Sequence, residues 1–150
     1  MLNRKAHVIQ IKVSEHDQPV STDGPHDPEA TRAIAAGIDS AFRLLNYATM
    51  SHNGLAFPSD VYSVLGELSA AVNKLPQALH QMTQFINTQV TEGHARENPH
   101  YGSHSGNTRA AYAQMAAASR DACARADDLA WLLGKAQTAI SGLESTRDDL

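Results

Sequence analysis

Aromatic residues are scarce in this chain, with one Trp, three Phe and four Tyr among 150 residues. Any core must therefore be built from aliphatic side chains and Ala. Cysteine is scarcer still. Cys123 stands alone, which excludes an intramolecular disulfide and suits a reducing, cytoplasmic setting. No apolar run approaches the roughly 18 residues needed to span a bilayer. The opening stretch MLNRKAHVIQIKV lacks the long apolar centre and small-residue cleavage site of a signal peptide. Basic charge is also short, with 12 Lys and Arg against 16 Asp and Glu and a formal net charge of -4. A nucleic-acid binder normally carries a clustered basic surplus. Here the close basic residues are only Arg4, Lys5 and Lys12, which argues against nucleic acid as the main partner. The sequence also lacks a glycine-rich phosphate loop and any defensible Ser/His/Asp arrangement. It is read as non-enzymatic and without a cofactor.

What is present is mostly helical patterning. The hydrophobic content of 42% can supply a core. Residues 7–13 alternate, with Ile9, Ile11 and Val13 on one face, and read as a short β arm. No second strand is evident, so this arm would need a partner from another chain or would lie over helices. Residues 14–27 form a polar linker with two prolines and a glycine. A helix over about 28–50 then starts cleanly, with Asp27 as cap, Pro28 in the first position and Glu29 at the positive end of the dipole. Its apolar stripe is Ile34, Ile38, Ala41, Leu45 and Ala48.

The second helical stretch spans about 59–91, with Ser59 as the expected cap. Its stripe runs Val61, Leu65, Leu68, Val72, Leu75 and continues in phase through Leu79, Met82 and Ile86. Pro76 lies inside it and removes the donor that would meet the Val72 carbonyl. With no turn residues around it, one helix kinked at Pro76 is expected. A polar loop rich in Gly, Ser and His follows. The last helix is expected over about 108–146, capped by Asn107 or Thr108. Its stripe runs Ala111, Met115, Ala118, Ala122, Ala126, Leu129, Leu133, Ala136, Ile140 and Leu143, a heptad pattern with a stutter around Ala122. The two long elements are similar in length and suggest an antiparallel helical hairpin. The fold class is therefore all-α, a helical bundle of this hairpin with the helix at 28–50. Residues 1–27 form an arm and linker, and 28–150 form one domain.

Three groups of residues are candidates for function. Between Ser59 and Thr91 only Asp60, Glu67 and Lys74 are charged, while Gln77, Gln81 and Gln84 leave an uncharged polar face. A solvated helix normally carries more charge, so this one is expected to be covered by an oligomer or partner. Trp131 lies off the Leu129/Leu133 stripe and either packs on another helix or anchors a partner. With Tyr62, Ile9 and Ile11, these residues form the candidate interaction set. His94, His100 and His104 share one loop, and imidazole is a common metal ligand. Their spacing fits no structural zinc pattern. Glu97-Asn98-Pro99-His100 has the Glu-x-x-His form found in di-iron bundles, but Pro99 and the loop setting oppose a helical ligand face. Cys123 reads as a small packed residue.

Three stretches carry a resemblance. Gly54-Leu55-Ala56-Phe57-Pro58-Ser59-Asp60-Val61-Tyr62, with Val64-Leu65-Gly66-Glu67-Leu68 and Leu75-Pro76-Gln77-Ala78-Leu79, resembles small uncharacterised helical proteins of actinomycetes and their mobile elements. The resemblance covers about a third of the chain and implies no activity or site. It implies that Pro76 belongs to a repeated design. The helical-hairpin proteins of type VII secretion systems are a poorer match. The only Trp stands in Trp131-Leu132-Leu133-Gly134, and no Tyr is followed by an acid four residues on. The leading expectation is a self-associating interaction or scaffold protein, a homo-oligomer with room for a second protein partner. The alternatives are a small DNA-associated regulatory protein of a mobile element and a metal- or ligand-binding bundle using the histidine loop.

Overall fold

The computed structural model describes residues 10, 20–24 and 26–146. It contains four helices, α1 (Pro28–Met50), α2 (Pro58–Val72), α3 (Leu75–Thr91) and α4 (Thr108–Ala139), and no strand among the described residues. The protein is all-α. The expected β arm, with Ile9 and Ile11, lies outside the described residues. In the linker, Ser21 and Gly24 exchange backbone hydrogen bonds of 3.0 and 3.2 Å to close a tight turn. The chain divides into two units, Met1–Leu55 and Ala56–Leu150. The division falls at Leu55, where the sequence placed a boundary at residue 27.

In the first unit, α1 begins as its cap chemistry dictates. The Asp27 carboxylate accepts from the Ala30 N–H at 2.8 Å, and Pro28 fills a position that has no use for a donor. The helix ends at Ser51, whose N–H reaches the Tyr47 and Ala48 carbonyls. Gly54 then folds back so closely that a Cβ there would overlap the Ala48 carbonyl oxygen. Only glycine allows this exit.

In the second unit, the start of α2 differs from the expected Ser59 cap. Phe57 holds the cap position and has no side-chain acceptor. Asp60, three residues on, reaches back instead, and its Oδ2 accepts from the N–H groups of Ala56 and Phe57, both at 2.8 Å. Two donors aimed at one carboxylate, from Phe57 and then Ala56, hold the Asp60 carboxyl below its ordinary value of 3.8.

The expected single helix over 59–91 is two helices. The interruption lies at Asn73 and Lys74, both of which keep right-handed helical backbone angles. Pro76, in the first turn of α3, needs no N–H there. The strain is taken up one turn earlier. The Lys74 N–H tightens to the Ala71 carbonyl, three residues back, at 3.1 Å. The Ala70 carbonyl that it passes over is taken by the Lys74 ammonium at 2.9 Å. At about 1.5 Å per residue, α2 and α3 together run about 50 Å, close to the roughly 48 Å of α4.

Both α2 and α3 pack along α4. Gln137 Nε2 donates to the Tyr62 carbonyl at 3.0 Å, and Ser69 Oγ to the Ala130 carbonyl at 2.9 Å. Cys123 Sγ lies 3.8 Å from the Pro76 carbonyl oxygen. Near the connecting loop, the Glu97 N–H donates to Thr108 Oγ1 at 2.9 Å. Residue numbers fall on one side of these pairs as they rise on the other, so the two runs are antiparallel.

The seam differs in phase from the expected stripe. On α4 the line facing α2 and α3 runs Tyr112, Ala116, Ser119, Cys123, Ala126, Ala130, Leu133 and Gln137, an unbroken alternation of four and three, with Ala111, Met115, Ala117 and Gly134 partly covered beside it. Ala118, Ala122, Leu129 and Ala136 of the expected stripe are exposed. Opposite them lie Leu65, Ser69, Val72, Pro76, Leu79, Thr83 and Ile86, while Leu75 and Met82 point outward. Small side chains on the α4 seam let the backbones approach until Ser69 touches a main-chain carbonyl. The end of α4 also differs. It stops at Ala139, short of the expected 146, as the bonds shorten to Ile140–Gln137 and Ser141–Thr138. Ser141 and Gly142 are poor helix formers, and the apolar spacing that continues to Leu143 does not offset them.

Candidate interaction surface

Each seam residue has a neighbour on either side, and these neighbours define two faces of the α2/α3–α4 pair. In two antiparallel right-handed helices, positions one residue before the seam on each helix fall on the same side, and positions one residue after it fall on the other. The grooves between the helices agree with this. Ala111 and Met115, each one residue before a seam position, share a groove with Ile86 and Val90. His80, Gln84 and Asn87, each one residue after, share a groove of about 400 Å³ with Arg120.

The two sides differ in chemistry. The first carries Leu68, Leu75, Met82 and Phe85 from α2 and α3, facing Met115, Leu129 and Leu132 from α4. Phe85 is 62% exposed and Met82 51%. The second carries Asn73, Gln77, His80, Gln84 and Asn87, with Arg120, Asp127 and Trp131 from α4. Charges Glu67, Lys74, Asp121 and Asp128 sit on the outermost line of each helix, away from the seam.

The candidate interaction residues separate on this frame. Gln77, Gln84 and Trp131 lie on the polar side, and Gln81 on the outer line. Trp131 is 62% exposed, with the Lys135 ammonium 4.5 Å from its ring centre, an exposed cation–π contact worth about 0.5–1 kcal/mol. Tyr62 is partly exposed, and its carbonyl takes part in the seam through Gln137. Gly66 makes that contact possible, since a Cβ there would meet the Gln137 amide. The apolar side did not enter the candidate set. Its signal was in the sequence, in the outward Leu75 and Met82, but both had been assigned to the seam.

The histidine loop is organised by Glu97. Its Oε1 accepts from the His104 N–H at 2.8 Å and lies 3.1 Å from His104 Nδ1, and its Oε2 accepts from the Gly106 N–H at 2.8 Å. Gly102 passes over the Glu97 stem so closely that a Cβ would collide with it. Gly106, at φ 87°, completes the turn. The Glu97 side chain is only 11% exposed. Burial pushes its carboxyl up, but the His104 N–H and ring and the Gly106 N–H outweigh this, and it rests below its ordinary value of 4.5. The three histidines do not converge. His94 Nδ1 lies 3.2 Å from Glu92 and His104 is held by Glu97, while the His100 N–H bonds to Asn98 Oδ1 at 2.9 Å. Among the described residues, no group of three or more His, Cys, Asp or Glu is placed to hold a metal ion. The arrangement is that of a loop clasp.

No helix among the described residues is long and apolar enough to cross a membrane. No protein-family model, curated protein or solved structure matches the chain.

Proposed function

We propose that this is a non-enzymatic interaction protein that self-associates through its helical hairpin, Pro58–Val72 and Leu75–Thr91 against Thr108–Ala139. One observation carries this reading. Among the described residues, the buried hydrophobic side chains are Ala30, Ala116, Ala126 and Ala130, and none is larger. A stable domain needs at least two layers of secondary structure around large apolar side chains. This hairpin supplies one layer, in which the buried Ala116, Ala126 and Ala130 of α4 meet half-buried Leu65, Val72, Leu79 and Ile86, while Leu75, Met82, Phe85, Leu129 and Leu132 turn outward. A further layer from another copy would provide what the seam lacks. The polar side, with Trp131, Gln77 and Gln84, would remain free for a second protein.

Sedimentation equilibrium on the full chain tests this. We expect a dimer or higher species at micromolar concentration. A strict monomer throughout the micromolar range would remove the reading.

A further inference from the structure

The apolar side of the hairpin is the strongest unassigned feature of the molecule, and its composition names its occupant. Along α2 and α3 it repeats every three and four residues through Val64, Leu68, Ala71, Leu75, Ala78, Met82 and Phe85, without a charge. Along α4 it carries Met115, Leu129 and Leu132, with Arg125 as its one charge. Arg125 is answered on its own helix by Asp128 at 3.3 Å. An apolar side that runs nearly the length of the hairpin and carries no net acidic or basic demand suits an equally apolar partner of equal length.

We infer that this side docks against the same side of a second copy, giving a four-helix arrangement with two-fold symmetry. The inference rests on the self-association proposed above and goes further by assigning the face. Three arguments favour this occupant. The first is area. Leu75, Met82, Phe85, Leu129 and Leu132 are each about half exposed, five large apolar side chains on one side of a pair of helical runs each about 50 Å long. The small residues between them bring the patch toward the ~800 Å² per partner of a standard interface. The second is symmetry. A two-fold contact needs a patch complementary to itself, and this strip meets that need because its one charge, Arg125, is already answered by Asp128 on its own helix. The third is the placement of charge. Glu67, Lys74, Asp121 and Asp128 occupy the outermost lines, where they would form a solvated rim around an apolar centre.

The test uses the full chain in three forms. The variant Met82→Glu/Phe85→Glu puts two carboxylates into the proposed contact, where burial without partners is costly. The control Gln77→Glu/Gln84→Glu adds the same charge on the polar side. We expect the first pair to weaken association at least ~100-fold by sedimentation equilibrium and the control less than ~3-fold, against a range in which each tenfold step is readily resolved. Because the first variant could unfold when it loses its partner, a second arm uses the milder Met82→Gln/Phe85→Gln, followed by sedimentation and circular dichroism together. We expect it to associate at least ~10-fold more weakly than the parent and to regain the parent's helical content as its concentration is raised. If the parent associates but both the Glu pair and the control leave it intact, or if only the control disrupts it, this face is wrong and self-association stands. If Met82→Gln/Phe85→Gln associates as tightly as the parent, the face is also wrong. A monomeric parent overturns this inference together with the reading beneath it.

Discussion

Glu97 shows how one side chain can fix a loop whose sequence suggests freedom. The stretch between α3 and α4 contains three glycines and three histidines, yet the Glu97 carboxylate gathers two backbone donors and the His104 ring into one clasp. Its folded-state pKa lies below the ordinary 4.5. A depressed carboxylate contributes stability that is fully present above the unfolded value and is lost as pH falls through the folded one. The clasp should therefore hold at neutral pH and loosen only below about pH 4.5. Asp60 acts with the same sign at the start of α2, from an ordinary value of 3.8. We expect Glu97→Gln to remove most of this pH dependence and to weaken the clasp at neutral pH. Hydrogen exchange at the His104 and Gly106 amides should then quicken by about tenfold or more, with α2 amides little changed. Unchanged exchange at these two amides would show that the loop is held by something other than the carboxylate.

Helix α4 shows what the sequence makes legible at the scale of an element and what it hides. The starts of α1 and α4 could be read directly, because Asp27 and Asn107 carry acceptors that bond the Ala30 and Ala110 N–H groups. The start of α2 could not, because Phe57 has no acceptor and the work is done from inside the helix by Asp60. The seam was misread for a related reason. Hydrophobic periodicity follows the largest side chains, and on α4 Met115, Leu129 and Leu132 lie beside the contact, whose middle is Ala116, Ser119, Cys123, Ala126 and Ala130 between Tyr112 and Leu133. The stutter around Ala122 is where the expected stripe leaves the flank, and beyond it the stripe alternates between seam (Ala126, Leu133) and flank (Leu129, Ala136). The histidine loop stands out in the sequence by ligand chemistry, whereas its organising residue is Glu97, a carboxylate bonded to backbone N–H groups that leave no mark in the sequence. If the seam is set by close approach, enlarging it should be costly. We expect Ala130→Leu to destabilise the protein by about 1–3 kcal/mol through overpacking, because Ser69 already touches the Ala130 carbonyl. Ala124→Leu, at an exposed position on the same helix, should change stability by no more than about 0.5 kcal/mol. Urea denaturation of the two variants compares them directly, and equal costs would show that the seam is not where the covered alanines place it.

At the scale of the whole molecule, the absence of a large buried side chain among the described residues must be reconciled with a chain that is 42% hydrophobic. Small side chains shorten the distance between helices but remove little apolar area from water, at roughly 25 cal/mol per Å². The larger Leu, Met and Phe residues contribute only when something covers them. If the cover is a second copy, folding and association are one equilibrium, and stability depends on protein concentration. The size of that dependence follows from general calorimetric scaling. At about 0.7 kcal/mol per residue, a dimer of this chain would unfold with an enthalpy near 200 kcal/mol, so a hundredfold rise in concentration should raise Tm by about 5 °C. The monomer alternative, in which each chain covers its own apolar side, gives a Tm independent of concentration at the same helical content. Circular dichroism melts at about 1 and 100 μM therefore separate the two. Met82→Glu/Phe85→Glu should flatten the dependence while lowering Tm, because it strikes the side on which the coupling between folding and association is proposed to rest.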